Sequence, residues 1–346
     1  MPQPTPEAIR ETLRTIAGGG TLSAEAAEAF MAAVLDGEAT PAQLGGALMG
    51  MHVRGETTEE LTGFVRALRS RAIRVHAPDG TIDTCGTGGD SHDTFNISTA
   101  ASLVTAASGV TVAKAGNRAV SSISGSSDVM AALGLAVEVD REAAEASLRE
   151  DGYAYLHAPS FHPGMRHVGP VRKELGVRTA FNYIGPIANV ARPRRQLMGV
   201  PDEDIARKAA ETLHALGAER AWVVTGDRID EVPLDDSGVY FDVTPARVER
   251  RTITQADHGL AYAATESLAG GDGTANAALI ESIFNGETTG AQRDVVVLNA
   301  GASLVVAGKA GDVREGIELA NAAIDSGAVT DLLGRMRARS SAEGEA

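Results

Sequence analysis

The chain has 346 residues, 43% hydrophobic and 22% charged, enough to bury a large core in about two domains. Its 31 Lys and Arg against 46 Asp and Glu leave a formal charge of -15, which argues against nucleic acid or another polyanion as partner while leaving room for a small anion bound locally. The single cysteine, Cys85, excludes an intramolecular disulfide, no secretory leader pattern is present and no apolar run approaches the roughly 18 residues of a membrane span, so a cytoplasmic chain with no membrane contact is expected.

The first 70 or so residues read as helices, because apolar residues recur at three and four and the starts carry caps. Thr5-Pro6 opens one, with Ile9, Leu13 and Ile16 on a face and Gly18, Gly19 and Gly20 as its stop. A second runs from about Ser23 to Gly37. Thr40 with Gln43, and Thr57 with Glu60, have the capping-box spacing and open helices three and four. This segment reads as a packed helical module without chemistry of its own, and as an oligomer surface.

Beyond "VHAPDG" the pattern changes to short apolar runs that end in glycine loops and lead into alanine-rich helical stretches. "TIDTCG", "GVTVAKAG", "YAYLHAP", "RQLMGV", "RAWVVTGD" and "DVVVLNAG" are expected as buried strands, with "PDEDIARKAAETLHALGA" among the intervening helices. The alternation predicts an α/β domain with a mostly parallel sheet, whose ligands gather at the carboxyl ends of the strands. The polar tail "RARSSAEGEA" is expected to fray.

Four clusters fall in those loops. "GTGGDSHDTFNIST", residues 86–99, places glycines after a strand and starts a helix near Ser98-Thr99, so backbone amides and a positive helix end face one point. A phosphate fits there, with Asp90 facing a sugar hydroxyl, an amide or a metal; a tight structural turn reads the same way. "KAGNRAVSSISGSSD" follows the next strand and offers Lys114, Asn117, Arg118, Ser121, Ser122, Ser124 and Ser126, two cations and several hydroxyls suited to phosphate oxygens, or to a polar surface loop. In "FHPGMRHVGPVRKELGVRTAFNYIGPIAN" a helix beginning at Pro163 puts His162 at its N-cap side and Arg166 and Arg172 within it; an arginine fork there suits a carboxylate, or a structural ion pair. In "VVTGDRIDEVPL" the Asp230-Glu231 pair can hold Mg²⁺, a hard ion that prefers oxygen, or belong to a solvated loop.

Together, "GTGGD", "FNIST", "KAGNR", "SGSSD", "FHPGMRHVGPVRKELGVRTAFN" and "DRIDE", in this order over nearly the whole chain, resemble the anthranilate phosphoribosyltransferases. The resemblance implies transfer of phosphoribose from phosphoribosyl pyrophosphate to the amino group of anthranilate, a step of tryptophan biosynthesis. It implies a small helical domain, residues 1–72 joined by a helical excursion at about 163–188, beside a large α/β domain, residues 73–346, and a homodimer formed through the small domain. Carried over motif by motif, Gly86, Gly89, Asp90, Thr94, Asn96, Ile97, Ser98, Thr99, Lys114, Asn117, Arg118, Ser121, Ser122 and Ser126 would line the phosphoribosyl pyrophosphate site. Gly86, Asn117, His162 and Arg172 would address anthranilate, and Ser98, Asp230 and Glu231 would hold Mg²⁺. No general acid or base is implied; Lys114 and Arg172 would act by positioning.

The chain departs from the family pattern at Ala115 and Thr225, where histidines are usual, and at Val190, where proline is usual. The donor motifs are intact, so the departures bear on the acceptor. Alternatives are a pyrimidine nucleoside phosphorylase, a nucleic-acid-binding relative without catalysis, and a transferase for another aromatic amine.

Overall fold

The computed structural model describes residues 6–88, 94–118, 123–227 and 229–344. Four helices come first: α1 (Pro6–Ala17), α2 (Ala24–Leu35), α3 (Pro41–Arg54) and α4 (Thr58–Arg71). Strand β1 (Ile82–Gly86), helix α5 (Ile97–Ala107) and strand β2 (Val112–Gly116) follow, then α6 (Ser126–Ala132), α7 (Arg141–Glu150) and β3 (Tyr153–His157). Short helices α8 (Ala158–Phe161), α9 (Gly169–Leu175) and α10 (Phe181–Ile187) lead to β4 (Arg195–Gly199), α11 (Glu203–Ala215), β5 (Arg220–Thr225) and the strands β6 (Val239–Val243) and β7 (Val248–Thr252). Helices α12 (Gly273–Phe284), α13 (Ala291–Ala307), α14 (Val313–Asp325) and α15 (Ala328–Gly344) complete the chain.

Local chemistry explains most helix starts. Thr40 with Gln43 and Thr57 with Glu60 both form reciprocal capping boxes, each satisfying two amides that the first helical turn leaves open. Glu60 does more than cap: its buried carboxylate also accepts from the Leu22 amide at 3.0 Å and from Arg54, tying three helix ends together. In α11, Asp202 accepts from the Asp204 and Ile205 amides, and Ala206, Ala209, Ala210 and Leu213 form the buried stripe.

The seven strands form one sheet in the order β3-β2-β1-β4-β5-β6-β7. The first five are parallel; β6 and β7 add an antiparallel hairpin to one edge. Alternate residues of the strands feed two cores. Ile82, Leu197, Trp222 and Val224 pack with α5, α6 and α12–α15. Cys85, Met198, Val223 and Phe241 pack on the opposite face with α11, and the same core runs into α1–α4, α9 and α10.

Three sequence expectations are corrected. "DVVVLNAG" is not a strand: it lies within α13, a 17-residue helix buried along most of its length. A short apolar run has no period of its own, and here burial on all sides replaced the usual amphipathic stripe. The polar tail does not fray up to Gly344. α15 is tied down by the Arg337 guanidinium on the Leu133 carbonyl, by Arg339 on Asp151, and by Ser340, whose hydroxyl accepts from the Ala136 amide. No α-helix starts at Pro163 either: Pro163–His167 is a 3-10 segment containing Arg166, and α9 begins at Gly169. His162 makes no side-chain cap bond there. The hairpin of β6 and β7 is an addition that the sequence pattern does not predict.

Candidate active site

The order of strands reverses between β1 and β4, and a crevice for ligands opens at the carboxyl ends of strands on either side of such a reversal. β1 ends at Gly86, where a Cβ would stand 2.6 Å from Asp230 Oδ2, so a side chain there would displace that carboxylate. Two residues on, Gly88 turns the chain with φ +70, and its amide donates to Asp230 Oδ2 at 2.7 Å. The Thr87 amide is held by the Gly199 carbonyl of β4 at 3.0 Å.

Helix α5 opens at the same place. Its N-cap, Asn96, makes no side-chain cap bond; its Oδ1 accepts from Asn276 at 2.8 Å and its Nδ2 donates to the Ser124 carbonyl. The chain before it is stitched down by the Phe95 amide on the Leu268 carbonyl and by the bridge of Thr94 with Ala269. In the first turn the Ser98 amide donates to Glu231 Oε1 at 3.0 Å, placing a carboxylate where the helix dipole favours it. Ile97 and Thr99 are buried, and the hydroxyls of Thr84, Thr87 and Thr99 are buried with no partner among the described residues.

Lys114, in the middle of β2, is 1% exposed. Its Nζ donates to the Thr84 carbonyl at 2.7 Å and to Ser98 Oγ at 3.3 Å. Burial lowers its pKa, against the pull of Asp83, Glu231 and Asp230. Beyond it, the Asn117 carbonyl accepts from the Ser127 amide and the Ser126 hydroxyl, and Ser126 also meets the Tyr155 hydroxyl at 2.9 Å. Arg118 lies outward, paired with Asp128 and Glu138.

Gly86, Ser98, Lys114, Asp230 and Glu231 are thus joined through hydrogen bonds and close contacts into one constellation, with Asn117 just beyond β2 and Ser126 at the start of α6 adjoining it. Gly89, Asp90, Ser121 and Ser122 lie outside the described residues. His162 and Arg172 stand on the segment that packs with the helical bundle. Burial takes the His162 pKa down to about 4, so it is neutral at physiological pH, and the Ala188 backbone bonds to it. The Arg172 guanidinium is 5.3 Å from the centre of the Phe181 ring, and that ring stacks on Phe64 of α4. Of the three departure positions, Ala115 is the penultimate residue of β2, Thr225 ends β5, and Val190 is buried in the chain that follows α10.

Sequence reasoning overlooked the layer beneath. Asp83 is fully buried in β1 and accepts from Asn189 Nδ2 at 2.9 Å, Gln196 Nε2 at 3.1 Å and the Ala115 amide at 3.2 Å. The available signal was an acid inside the apolar strand "TIDTCG", because a buried carboxylate requires partners.

Residues 10–72 match the family described as "Glycosyl transferase family, helical bundle domain", and residues 78–330 match "Glycosyl transferase family, a/b domain". The fold that gathers these groups is that of a two-part glycosyltransferase. The chain is 46% identical over 335 residues to the anthranilate phosphoribosyltransferase of Afipia carboxidovorans, covering 96% of this chain and 99% of that one. The crystal structure of anthranilate phosphoribosyltransferase from Thermus thermophilus superposes with a TM-score of 0.90 at 39% identity, covering 95% and 98% of the two chains. The Saccharomyces cerevisiae enzyme, solved in complex with PRPP and Mg, has the same fold, with a TM-score of 0.87 at 22% identity over 98% and 99%. The chain belongs to the anthranilate phosphoribosyltransferase family.

Proposed function

We propose that this chain transfers the 5-phosphoribosyl group of 5-phosphoribosyl 1-pyrophosphate to the amino group of anthranilate, giving N-(5-phosphoribosyl)anthranilate and pyrophosphate. The observation that carries the reading is the convergence of the Gly88 turn, the first turn of α5 and the Asp230-Glu231 pair at the reversal of the sheet. The Lys114 ammonium and the Ser98 hydroxyl there suit the oxygens of a diphosphate.

In the reaction the bond from ribose C1 to pyrophosphate oxygen breaks and the bond from C1 to the anthranilate nitrogen forms, with the amine proton released. Negative charge grows on the leaving diphosphate. Lys114 would answer it, its ammonium already held beside Ser98 by the Thr84 carbonyl. The anthranilate amine is already a nucleophile, so orientation suffices. Arg172, whose guanidinium Phe181 steadies, would grip the anthranilate carboxylate and aim the nitrogen at C1, with Gly86, Asn117 and His162 completing that wall.

The Glu231 carboxylate and the Ser98 hydroxyl stand at the start of α5 and the Asp230 carboxylate at the Gly88 turn, hard oxygen donors of the kind that suit Mg²⁺. They would hold the ion, whose chemistry is to neutralise diphosphate charge. Two copies would associate through the helical bundle, where Val53 of α3 is exposed; sedimentation of the purified chain reads this out. A cytoplasmic place of action belongs to the same reading, and among the described residues no helix is long and apolar enough to cross a membrane.

The test is direct. Purified chain with phosphoribosyl pyrophosphate, Mg²⁺ and anthranilate should consume anthranilate fluorescence and release one pyrophosphate per anthranilate. Turnover of a substituted anthranilate in preference to anthranilate would move the acceptor assignment, and no turnover of any would reject the reading.

A further inference from the structure

β1 pairs with β4 along all five of its residues but registers with β2 only at Ile82↔Val112. Beyond that point, side chains replace the ladder between β1 and β2. The Ala115 amide donates to Asp83 Oδ1, the Ala113 carbonyl accepts from Asn189 Nδ2 at 2.8 Å, and the Thr84 carbonyl accepts from Lys114 Nζ. Asp83 Oδ2 joins the same cluster through Asn189 and Gln196. Each group satisfies a backbone or side-chain partner on a neighbouring element, so the cluster sets the distance between the strands that lead into the Gly86–Gly88 turn and into Asn117 and Arg118.

Taking the proposed reaction as given, we infer that Asp83 is a positioning residue for it: its carboxylate is the centre of a buried polar wedge, with Asn189 and Lys114, that parts β1 from β2 and so aligns the two donor-binding loops. Asp83 touches neither substrate. A charge in this position is costly: burial pushes its pKa up to about 6, against the bonds from Asn189, Ala115 and Gln196. A neutral amide of the same shape cannot replace it. The three donors around Asp83 need acceptors on both oxygens, whereas an asparagine would turn an NH₂ group toward one of them. If its oxygen stays with Asn189 and Gln196, the NH₂ faces the Ala115 amide and pushes β2 outward, taking Lys114 and Asn117 with it. Asn189 supports the wedge from the chain that follows α10, which links donor alignment to the helical bundle.

The test uses the intact chain and its Asp83→Asn and Asn189→Ala variants. Binding of phosphoribosyl pyrophosphate with Mg²⁺ is measured by calorimetry, both KM values by steady-state kinetics, and Tm by melting. Asp83→Asn is expected to raise the donor Kd and donor KM about tenfold, and Asn189→Ala several-fold, with a smaller rise in the anthranilate KM, since Gly86 and Asn117 shift with the strands whereas Arg172 stands on another segment. A lower Tm with unchanged donor Kd and KM would mark a structural role alone and overturn the inference. Should Asp83→Asn fail to fold, Asn189→Ala decides in the same way. Failure of the parent chain itself to bind the donor would instead reject the functional reading, whereas a parent that binds beside variants that bind equally well rejects the wedge alone.

Discussion

Arg172 and His162 show how much a single side chain's surroundings decide. The Arg172 guanidinium is partly buried over Phe181, and that desolvation lowers its pKa; an arginine keeps its charge in such surroundings. A fixed, charged fork of this kind is suited to a small carboxylate. Arg172→Ala should therefore raise the KM for anthranilate at least about tenfold while leaving that for the donor nearly unchanged, as a charge-assisted pair is worth roughly 1.5–3 kcal/mol; equal effects on both substrates would remove Arg172 from the acceptor site. His162 carries a pH dependence of known sign. Its folded pKa of about 4 lies below the ordinary histidine value of 6.5. Between those values the unfolded chain binds a proton that the folded chain does not, so this contribution to stability is present above pH 6.5 and is lost as pH falls toward 4. Melting curves across that window should show a shallower fall in Tm for His162→Gln than for the parent. Identical slopes would mean that the imidazole is not buried as described.

At the scale of elements, the crossing of α2 and α4 depends on Gly63. A Cβ there would meet the Ala24 carbonyl and the Glu28 amide, both backbone atoms of α2 that cannot turn aside. Gly63→Ala should force the two helices apart and cost about 1–3 kcal/mol in chemical denaturation. An unaltered midpoint would contradict the crossing. The elements also divide by how plainly they are written. Thr40 with Gln43 and Thr57 with Glu60 are legible because a cap and its partner are three residues apart. β7 is not: Val248–Thr252 reads "VERRT", exposed and charged, and it is a strand because β6 pairs with it.

Across the whole molecule, the candidate site joins segments remote in sequence. Gly88 and Asp230 are 142 residues apart, and Ser98 and Glu231 are 133 apart. Asp230 and Glu231 therefore reach across from the chain beyond β5 to the turn after β1 and the start of α5. Replacing both, Asp230→Asn with Glu231→Gln, should shift the magnesium activation curve at least about tenfold to higher concentration and lower turnover. The same titration midpoint as the parent would remove these acids from metal binding. The assignments that rest on order and spacing, "GTGGD" before a helix and "DRIDE" after a strand, were readable because each motif is local. The Asp83 wedge was not, since Asn189 and Gln196 lie 106 and 113 residues from it.

The sequence by itself determined the class of fold, the capped helices and the glycine turn at the end of β1, because all of these follow from residues within a few positions of one another. Only the tertiary structure decided that the apolar run at Val295–Val297 is a helix, that the tail through Arg337 and Arg339 is held, and that an acid in β1 parts two strands. Burial and long-range hydrogen bonding make those choices, and neither has a value until the chain has brought distant segments together.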